Sequence, residues 1–535
     1  MRERVSIEGG MSLFLLEDEG ILFSEGKQEV YVLNTPAAYI WCCLEEGMPP
    51  GQISAAFSSG FGVPLDRALQ TTADLLSRWQ VSGFIKCVSE TAHSEIDWTT
   101  ALARLIANPS LREEFERSPG AVARKLRLAS SDRRPFVSLS PAALESQALQ
   151  LQKARFAKPL ENFLNSGQFV LWSSRAGKGG QSILQSALDA RARRAGQRNR
   201  LRYYRLLTTT IAVRFSSAVE EDRVHPAIAH LEVEPARADA VVEVLHIKGG
   251  HVLLDGIAPF SFCRNLELLA PRLKTWLLHT AVRRHSYFLQ IHAGVVSNGE
   301  KCILLPATAG SGKTTLTAGL AAAGFHYFSD EAALLEEPDL EVRPVPISLS
   351  VKSGALGVLA RLFPQLCGSA KHTREDFETV TYLNPPAASF GYDANRTYPV
   401  GWIVFPRYSP SATTELRPVR KAEALARLMN ETLVVRGTLD KRIVRSLVRW
   451  VQRVDCYELP NSSLSQAVQL ISSLLRSPKP TTSPAPSLSI PATSPPDEAM
   501  RSPETSCAGA QKRARPARTS ASPPELQPSS GQHSN

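Results

Sequence analysis

Apolar positions along the chain fall into blocks of two periods, and the blocks divide it into successive units. Near the N-terminus, Ser12–Leu16 and Glu29–Leu33 read as strands separated by a polar turn around Gly26. Asn34 and Thr35 then cap a helix with Pro36 at its start, running from Ala37 to Leu44 and stopping near Gly47. Ile53, Ala56 and Phe57 mark a second helix. Leu65, Leu69, Ala73, Leu76 and Trp79 recur at three- and four-residue intervals and mark a third, closed by Gly83. Residues 10–90 are expected to form a small independent domain of a strand pair and three helices.

Helical periodicity continues through residues 98–165, carried by Leu102, Leu105, Leu111, Phe115, Val122 and Leu126 and then by Ala143–Ala157. Packing explains this pattern, and no chemistry is read there. Residues 173–202 are rich in Gly, Ala and Arg and read as a basic linker. From Tyr203 the strand pattern returns in Thr208–Phe215, Ala240–Ile247 and His251–Leu254, followed by a helix over Asn265–Arg284 with Leu266, Leu269, Leu273, Trp276 and Leu277 on its apolar face. The α/β pattern runs on to residue 476, where Ala467, Val468, Ile471 and Leu475 give a last helix its apolar face. Residues 477–535 are dominated by Ser, Pro, Thr and Ala. They bury too little apolar surface to offset ordering, so a disordered tail is expected. The fold class is multidomain, α/β and α+β.

Composition changes this picture little. At 535 residues the chain exceeds one core, and its 43% hydrophobic content fills several. No apolar run approaches the roughly 20 residues of a membrane span. The start, Met1-Arg2-Glu3-Arg4-Val5, lacks a signal-peptide segment, and the eight cysteines show no paired ligand spacing. A cytoplasmic protein with reduced thiols is expected, with no membrane partner. The net charge of +10 arises partly from the basic stretches near 191–202 and 513–518. No aromatic platform accompanies them, so no nucleic-acid partner is expected.

The strongest chemical signal is Ala307-Thr308-Ala309-Gly310-Ser311-Gly312-Lys313-Thr314, set between the strand-like Lys301–Pro306 and a helix over Thr315–Ala323 with Leu316 and Leu320 one turn apart. Successive N–H groups in such a turn, backed by a helix N-terminus, cradle anionic oxygens. Lys313 places a charge on the outer phosphates and the Thr314 hydroxyl is placed to hold Mg²⁺. Further on, Phe325–Phe328 reads as a strand that delivers Asp330 and Glu331 at its end, where ligands of α/β sheets collect. One acid suits the metal and the other suits a hydroxyl proton. His292, between two strand-like runs, suits proton handling or orientation of an acid. Arg407, ending the buried run Val400–Phe405, suits a clamp on phosphate oxygens, and Lys352 is a weaker candidate of the same sort.

Ile291-His292-Ala293-Gly294, the loop Ala307–Thr314 and His326-Tyr327-Phe328-Ser329-Asp330-Glu331 together resemble the HPr serine kinase/phosphorylase family. The similarity is closest to its HprK-related branch, whose nucleotide-binding core is shared with phosphoenolpyruvate carboxykinase. The resemblance spans residues 285–350 well and 205–475 loosely. It implies ATP and Mg²⁺ as cofactors, His292 assisting, Asp330 as the base toward a serine hydroxyl, and Glu331 with Thr314 at the metal. Ala307 stands for a glycine, Glu331 for an aspartate, and the Glu-Ile-Arg-Gly element tied to phosphorylase activity is missing. A kinase is therefore implied rather than a bifunctional enzyme.

Leu33-Asn34-Thr35-Pro36-Ala37-Ala38-Tyr39-Ile40-Trp41 and the two helices after it resemble a PqqD-type domain, of winged-helix type. In that family a strand edge and an adjoining helix hold the leader segment of a ribosomally made peptide. The pair of resemblances implies a kinase acting on a serine or threonine of a precursor peptide held by the first domain. Maturation enzymes and a second copy of the chain are further partners left open. A small-metabolite or sugar kinase and a nucleotide-regulated peptide-binding scaffold are the alternatives.

Overall fold

The computed structural model describes residues 4–88 and 200–476 except 257, 375 and 436, together with parts of 101–144 and 186–192 and the pair 500–501. Most of the helix expected over 143–157, most of the basic linker 173–202 and nearly all of the tail 477–535 lie outside the described residues.

Asn34 begins the first helix as its residue type requires. Its side-chain oxygen accepts from the Ala37 N–H at 3.0 Å, and α1 (Thr35–Glu45) follows with Pro36 in its first turn. α2 (Pro50–Phe61) stops at Gly62, whose φ of +63° is left-handed. α3 (Leu65–Val81) buries Ala68, Thr72, Leu75, Leu76 and Trp79. Leu65, Leu69 and Ala73 of the expected apolar face are instead exposed, the first two at 53% and 47%. The buried stripe is turned by one position, because Trp79 packs edge-on against Trp41 at 5.1 Å and sets the helix's rotation.

Five strands accompany these helices where two were expected. β1 (Arg4–Ile7) pairs antiparallel with β5 (Ile85–Val88). β2 (Met11–Leu16), β3 (Glu19–Ser24) and β4 (Glu29–Leu33) form an antiparallel meander. β3 escapes an alternation search because all six of its residues are buried. Leu22 faces the helices, while Ile21 and Phe23 join Leu16 and Val30 in a second core with Leu425, Met429, Val444 and Leu447. The Gln28 side chain closes a double hydrogen bond with the Leu439 backbone, at 2.9 and 2.7 Å, and Glu19 pairs with Arg420. The first unit therefore has its own core and shares a second with the region around Leu425 and Leu447, and its central strand β3 is buried on both faces.

Short helices α4 (Pro109–Arg117), α5 (Pro119–Lys125) and α6 (Ser130–Val137) carry a small core around Phe115, Val122 and Phe136. Then comes a six-stranded sheet of β6 (Arg200–Leu206), β7 (Thr209–Phe215), β8 (Glu232–Val233), β9 (Ala240–Ile247), β10 (Gly250–Asp255) and β11 (Ala258–Cys263), in the order β11-β10-β9-β7-β6-β8. α7 (Ala218–Ile228) and α8 (Leu269–Arg284) cover it through Val224, Ile228, Leu273 and Leu277.

The region that follows carries β12 (Leu289–Ile291), β13 (Ala293–Ser297), β14 (Cys302–Pro306), α9 (Lys313–Ala322), β15 (His326–Ser329), β16 (Ala333–Glu336), β17 (Glu341–Arg343) and β18 (Leu349–Lys352). After α10 (Ser353–Leu359) come β19 (Lys371–Thr373), β20 (Thr379–Leu383), β21 (Val400–Tyr408), β22 (Arg417–Pro418), α11 (Lys421–Arg427), β23 (Leu433–Val434), α12 (Lys441–Val451), β24 (Asp455–Asn461) and α13 (Leu464–Arg476). Its main sheet has the order β15-β13-β14-β21-β24-β22. β13 runs antiparallel to both β14 and β15, while β14 is parallel to β21 and β21 to β24. Thus β14, β15, β21 and β24 share one direction, and the N-terminal end of β13 lies at their carboxyl edge. A final short strand, β25 (Met500–Arg501), pairs antiparallel with β4, placing Met500 opposite Leu33 and Arg501 opposite Val32.

Candidate functional site

Strand direction alone brings the candidate residues to one edge of the main sheet. The loop after β14, the acids after β15, Arg407 near the end of β21 and His292 just before β13 all fall at the carboxyl edge of the parallel strands.

The loop from Ala307 to Thr314 turns through Gly310 and Gly312, whose φ values of +90° and +86° suit glycine. Gly312 leads into α9, whose first-turn N–H groups have no partners within the helix. Tyr408 at the end of β21 buttresses the turn, its N–H donating to the Ser311 carbonyl at 3.0 Å. Gly294 seats the other side: a Cβ there would lie 2.3 Å from Thr317 Oγ1, so only glycine lets β13 approach α9 this closely.

Asp330 is 1% exposed and engages both chemical residues of the loop. Its Oδ2 accepts from the Thr314 hydroxyl at 2.8 Å and its Oδ1 lies 3.2 Å from Lys313 Nζ, which also donates to the Asp330 carbonyl. Burial raises the Asp330 pKa, against the opposing pull of Lys313. Glu331 points elsewhere. Its Oε1 lies 3.5 Å from Lys274 Nζ, on α8. Burial acts to raise the Glu331 pKa, but Lys274, Lys313, His292 and Arg374 outweigh it and hold the group at about 2.

His292 sits beside this pair. Burial first, then Lys313, lowers its pKa to about 4, so the ring is neutral at ordinary pH. Nδ1 lies 2.9 Å from the Glu331 carbonyl and must carry the proton, which leaves Nε2 as an acceptor. The His292 N–H donates to the Thr432 carbonyl at 2.8 Å, tying the site to the π-helical turn Leu428–Thr432 that touches β4.

The structure therefore brings together His292, Lys313, Thr314, Asp330 and Glu331. Arg407 lies at the same edge but is exposed, with no hydrogen bond or ion pair to this group among the described residues. Lys352 stands apart, 42% exposed and 3.7 Å from Glu378. Sequence reasoning missed Lys274. Its signal was present: a lone cation one turn from Ala270, Leu277 and Leu278 on an otherwise apolar helix face. Burial lowers its pKa, countered by Glu331 and Asp330.

No group of three or more His, Cys, Asp and Glu arranged for a metal occurs among the described residues. Mg²⁺ does not require one, since it commonly takes one or two carboxylates plus substrate phosphates. The adjoining Thr314 hydroxyl and Asp330 carboxylate are the donor types that ion takes, with Asp330 already beside the hydroxyl. No helix among the described residues is long and apolar enough to cross a membrane.

The fold is a multidomain α/β architecture whose first unit is PqqD-like. In comparison with known families, residues 19–85 match the model of coenzyme PQQ synthesis protein D (PqqD). No curated protein matches the chain.

Proposed function

We propose that the protein is an ATP-dependent kinase that phosphorylates a serine or threonine of a ribosomally made precursor peptide, held by its PqqD-like unit. The observation that carries the reading is the hydrogen bond from Thr314 to Asp330, with Lys313 on the same carboxylate. A lysine and a hydroxyl at the start of a helix, facing an acid at the end of a strand that runs in the same direction as β14 with β13 between them, suit a nucleotide's outer phosphates and their metal.

In this reading the loop N–H groups and Lys313 receive the phosphates, and Lys313 exchanges its Asp330 contact for phosphate oxygens. Thr314 and Asp330 would hold a Mg²⁺ ion, which would supply neutralisation of phosphate charge. The pairing favours exchanging the two roles that the kinase resemblance implies for the acids, so that Asp330 serves the metal and Glu331 the acceptor. With its pKa held at about 2, Glu331 is ionised at ordinary pH and is a weak base. That suits a transfer that is largely dissociative and asks mainly for orientation of the hydroxyl. The acceptor oxygen–phosphorus bond forms as the bond to ADP breaks, and the hydroxyl proton leaves through Glu331. His292 braces the acid pair through the Glu331 carbonyl, and Arg407 is free to meet leaving-group oxygens.

PqqD-like domains generally bind precursor peptides, and β4 is suited to that task. Its edge accepts an antiparallel strand, since β25 of the same chain pairs there. The turn Leu428–Thr432 links that edge to His292, so a bound strand is tethered near the transfer site and its effective concentration rises. The test is incubation of the full chain with Mg·ATP and candidate precursor peptides, followed by mass spectrometry. Gain of one phosphate on a peptide hydroxyl, abolished by Asp330→Asn, is the expected result. Bound nucleotide with no labelled peptide would overturn the kinase reading.

A further inference from the structure

The phosphate-loop reading gives no task to Lys274, although few groups in the molecule are placed so specifically. Its side chain is 6% exposed, and it rises from the apolar face of α8, a helix that belongs to the other six-stranded sheet. Its Nζ donates to Ser350 Oγ on β18 at 2.8 Å, lies 3.5 Å from Glu331 Oε1, and stands 5.0 Å above the Tyr382 ring on β20. Four elements thus meet at one ammonium.

Such a burial strips the ammonium of most of its hydration, and a pair of apolar side chains would join α8 to β18 without that cost. The arrangement makes sense if orientation matters. Glu331 is a long carboxylate with rotatable bonds, and nothing in the phosphate loop takes hold of it, because Lys313 and Thr314 both engage Asp330. Ser350 and the Tyr382 ring fix the ammonium, and the ammonium fixes Oε1 of Glu331. The second oxygen of that carboxylate is then the one presented to an incoming hydroxyl.

We infer that Lys274 is a positioning residue of the transfer site, supplied by α8 and acting through Glu331 to orient the acceptor. The inference rests on the kinase reading and adds a partner for its acceptor-side acid. It also makes the site depend on both halves of the fold: the loop region supplies the phosphate side, and α8 sets the acceptor side.

The test uses the full chain, with binding of Mg²⁺ and the β,γ-imido analogue of ATP measured by calorimetry. Phosphate release from ATP, with water as the acceptor, gives the rate. Lys274→Met is expected to bind the analogue within about threefold of the unaltered chain yet release phosphate about 100-fold more slowly, the scale of a misplaced reacting group. Lys274→Arg, which keeps the charge, should recover most of the rate. In a Glu331→Gln background Lys274→Met should add nothing further, because it acts through that carboxylate. Phosphate release at the unaltered rate in Lys274→Met, or a full additional loss in the Glu331→Gln background, would overturn the inference while leaving the kinase reading intact. So would a loss of melting temperature and analogue binding together, which marks a purely structural lysine. Failure of the unaltered chain to bind the analogue would overturn the kinase reading and this inference with it.

Discussion

In the proposed reading two edges of this molecule each receive a ligand, and the structure prepares them in opposite ways. The carboxyl edge of the main sheet is filled in advance: Asp330 holds Lys313 and Thr314, Glu331 holds Lys274, and His292 contacts the Glu331 carbonyl. The β4 edge is a plain row of backbone groups, met by two residues of the chain's own Met500–Arg501 segment. Charged groups buried without partners are costly, so a phosphate site has to be satisfied internally until its ligand replaces those contacts. A strand edge needs no such arrangement, because water satisfies it and another strand displaces the water. The first edge is specific by chemistry and the second by register.

The comparison breaks most decisively at Lys313 and Asp330. Lys313→Ala or Asp330→Asn should lower transfer by about 1,000-fold or more, since each removes a group that meets charge as it moves. Phosphate release measured beside melting temperature separates this loss from unfolding.

Gly294→Val should come next. A Cβ 2.3 Å from Thr317 Oγ1 forces β13 away from α9, costing roughly 1–3 kcal/mol of stability as overpacking does. Loss of nucleotide-analogue binding should accompany the fall in urea midpoint.

Acid should weaken the prepared edge in two stages. His292, lowered to about 4, binds fewer protons folded than unfolded between about pH 6.5 and 4, so stability falls as pH drops through that window. Glu331, lowered to about 2, adds a further loss from about pH 4.5 down to 2. His292→Gln should flatten the first stage, with urea midpoints at pH 5 and 7 closer together than in the unaltered chain.

The smallest effect belongs to the open edge. Truncation after residue 478 removes the segment paired with β4, and affinity for a strand-forming peptide should rise by a few-fold at most, since only two residue pairs are released. Fluorescence anisotropy of a labelled peptide checks it. Leu65→Asp should change stability by less than about 0.5 kcal/mol, because that side chain is 53% exposed.

How far each edge was legible follows from where its information lies. The phosphate loop is contiguous, so its residues and the flanking elements are readable within one or two positions: the structure has β14 ending at Pro306 and α9 starting at Lys313. The placement of the acids and His292 at the sheet edge is readable because they flank strand-like runs in the sequence. Lys274 was not, since its partner Glu331 is far along the chain and only the packing of α8 brings the two together. In the first unit, the Asn34 cap and α1 were legible from local hydrogen bonding. β3 was hidden because a second core covers its other face, and the rotation of α3 was hidden because Trp41 decides it from another helix. The β3 error comes from assuming that one side of a strand faces water.

In the proposed function the loop at Lys313 holds nucleotide phosphates at an edge completed by Asp330. Calorimetric titration of the full chain with Mg²⁺ and the β,γ-imido analogue of ATP tests it most directly. One saturable site is expected, abolished by Lys313→Ala and dependent on Mg²⁺ only while Asp330 is intact. No binding by the unaltered chain, or binding that survives Lys313→Ala unchanged, would contradict it.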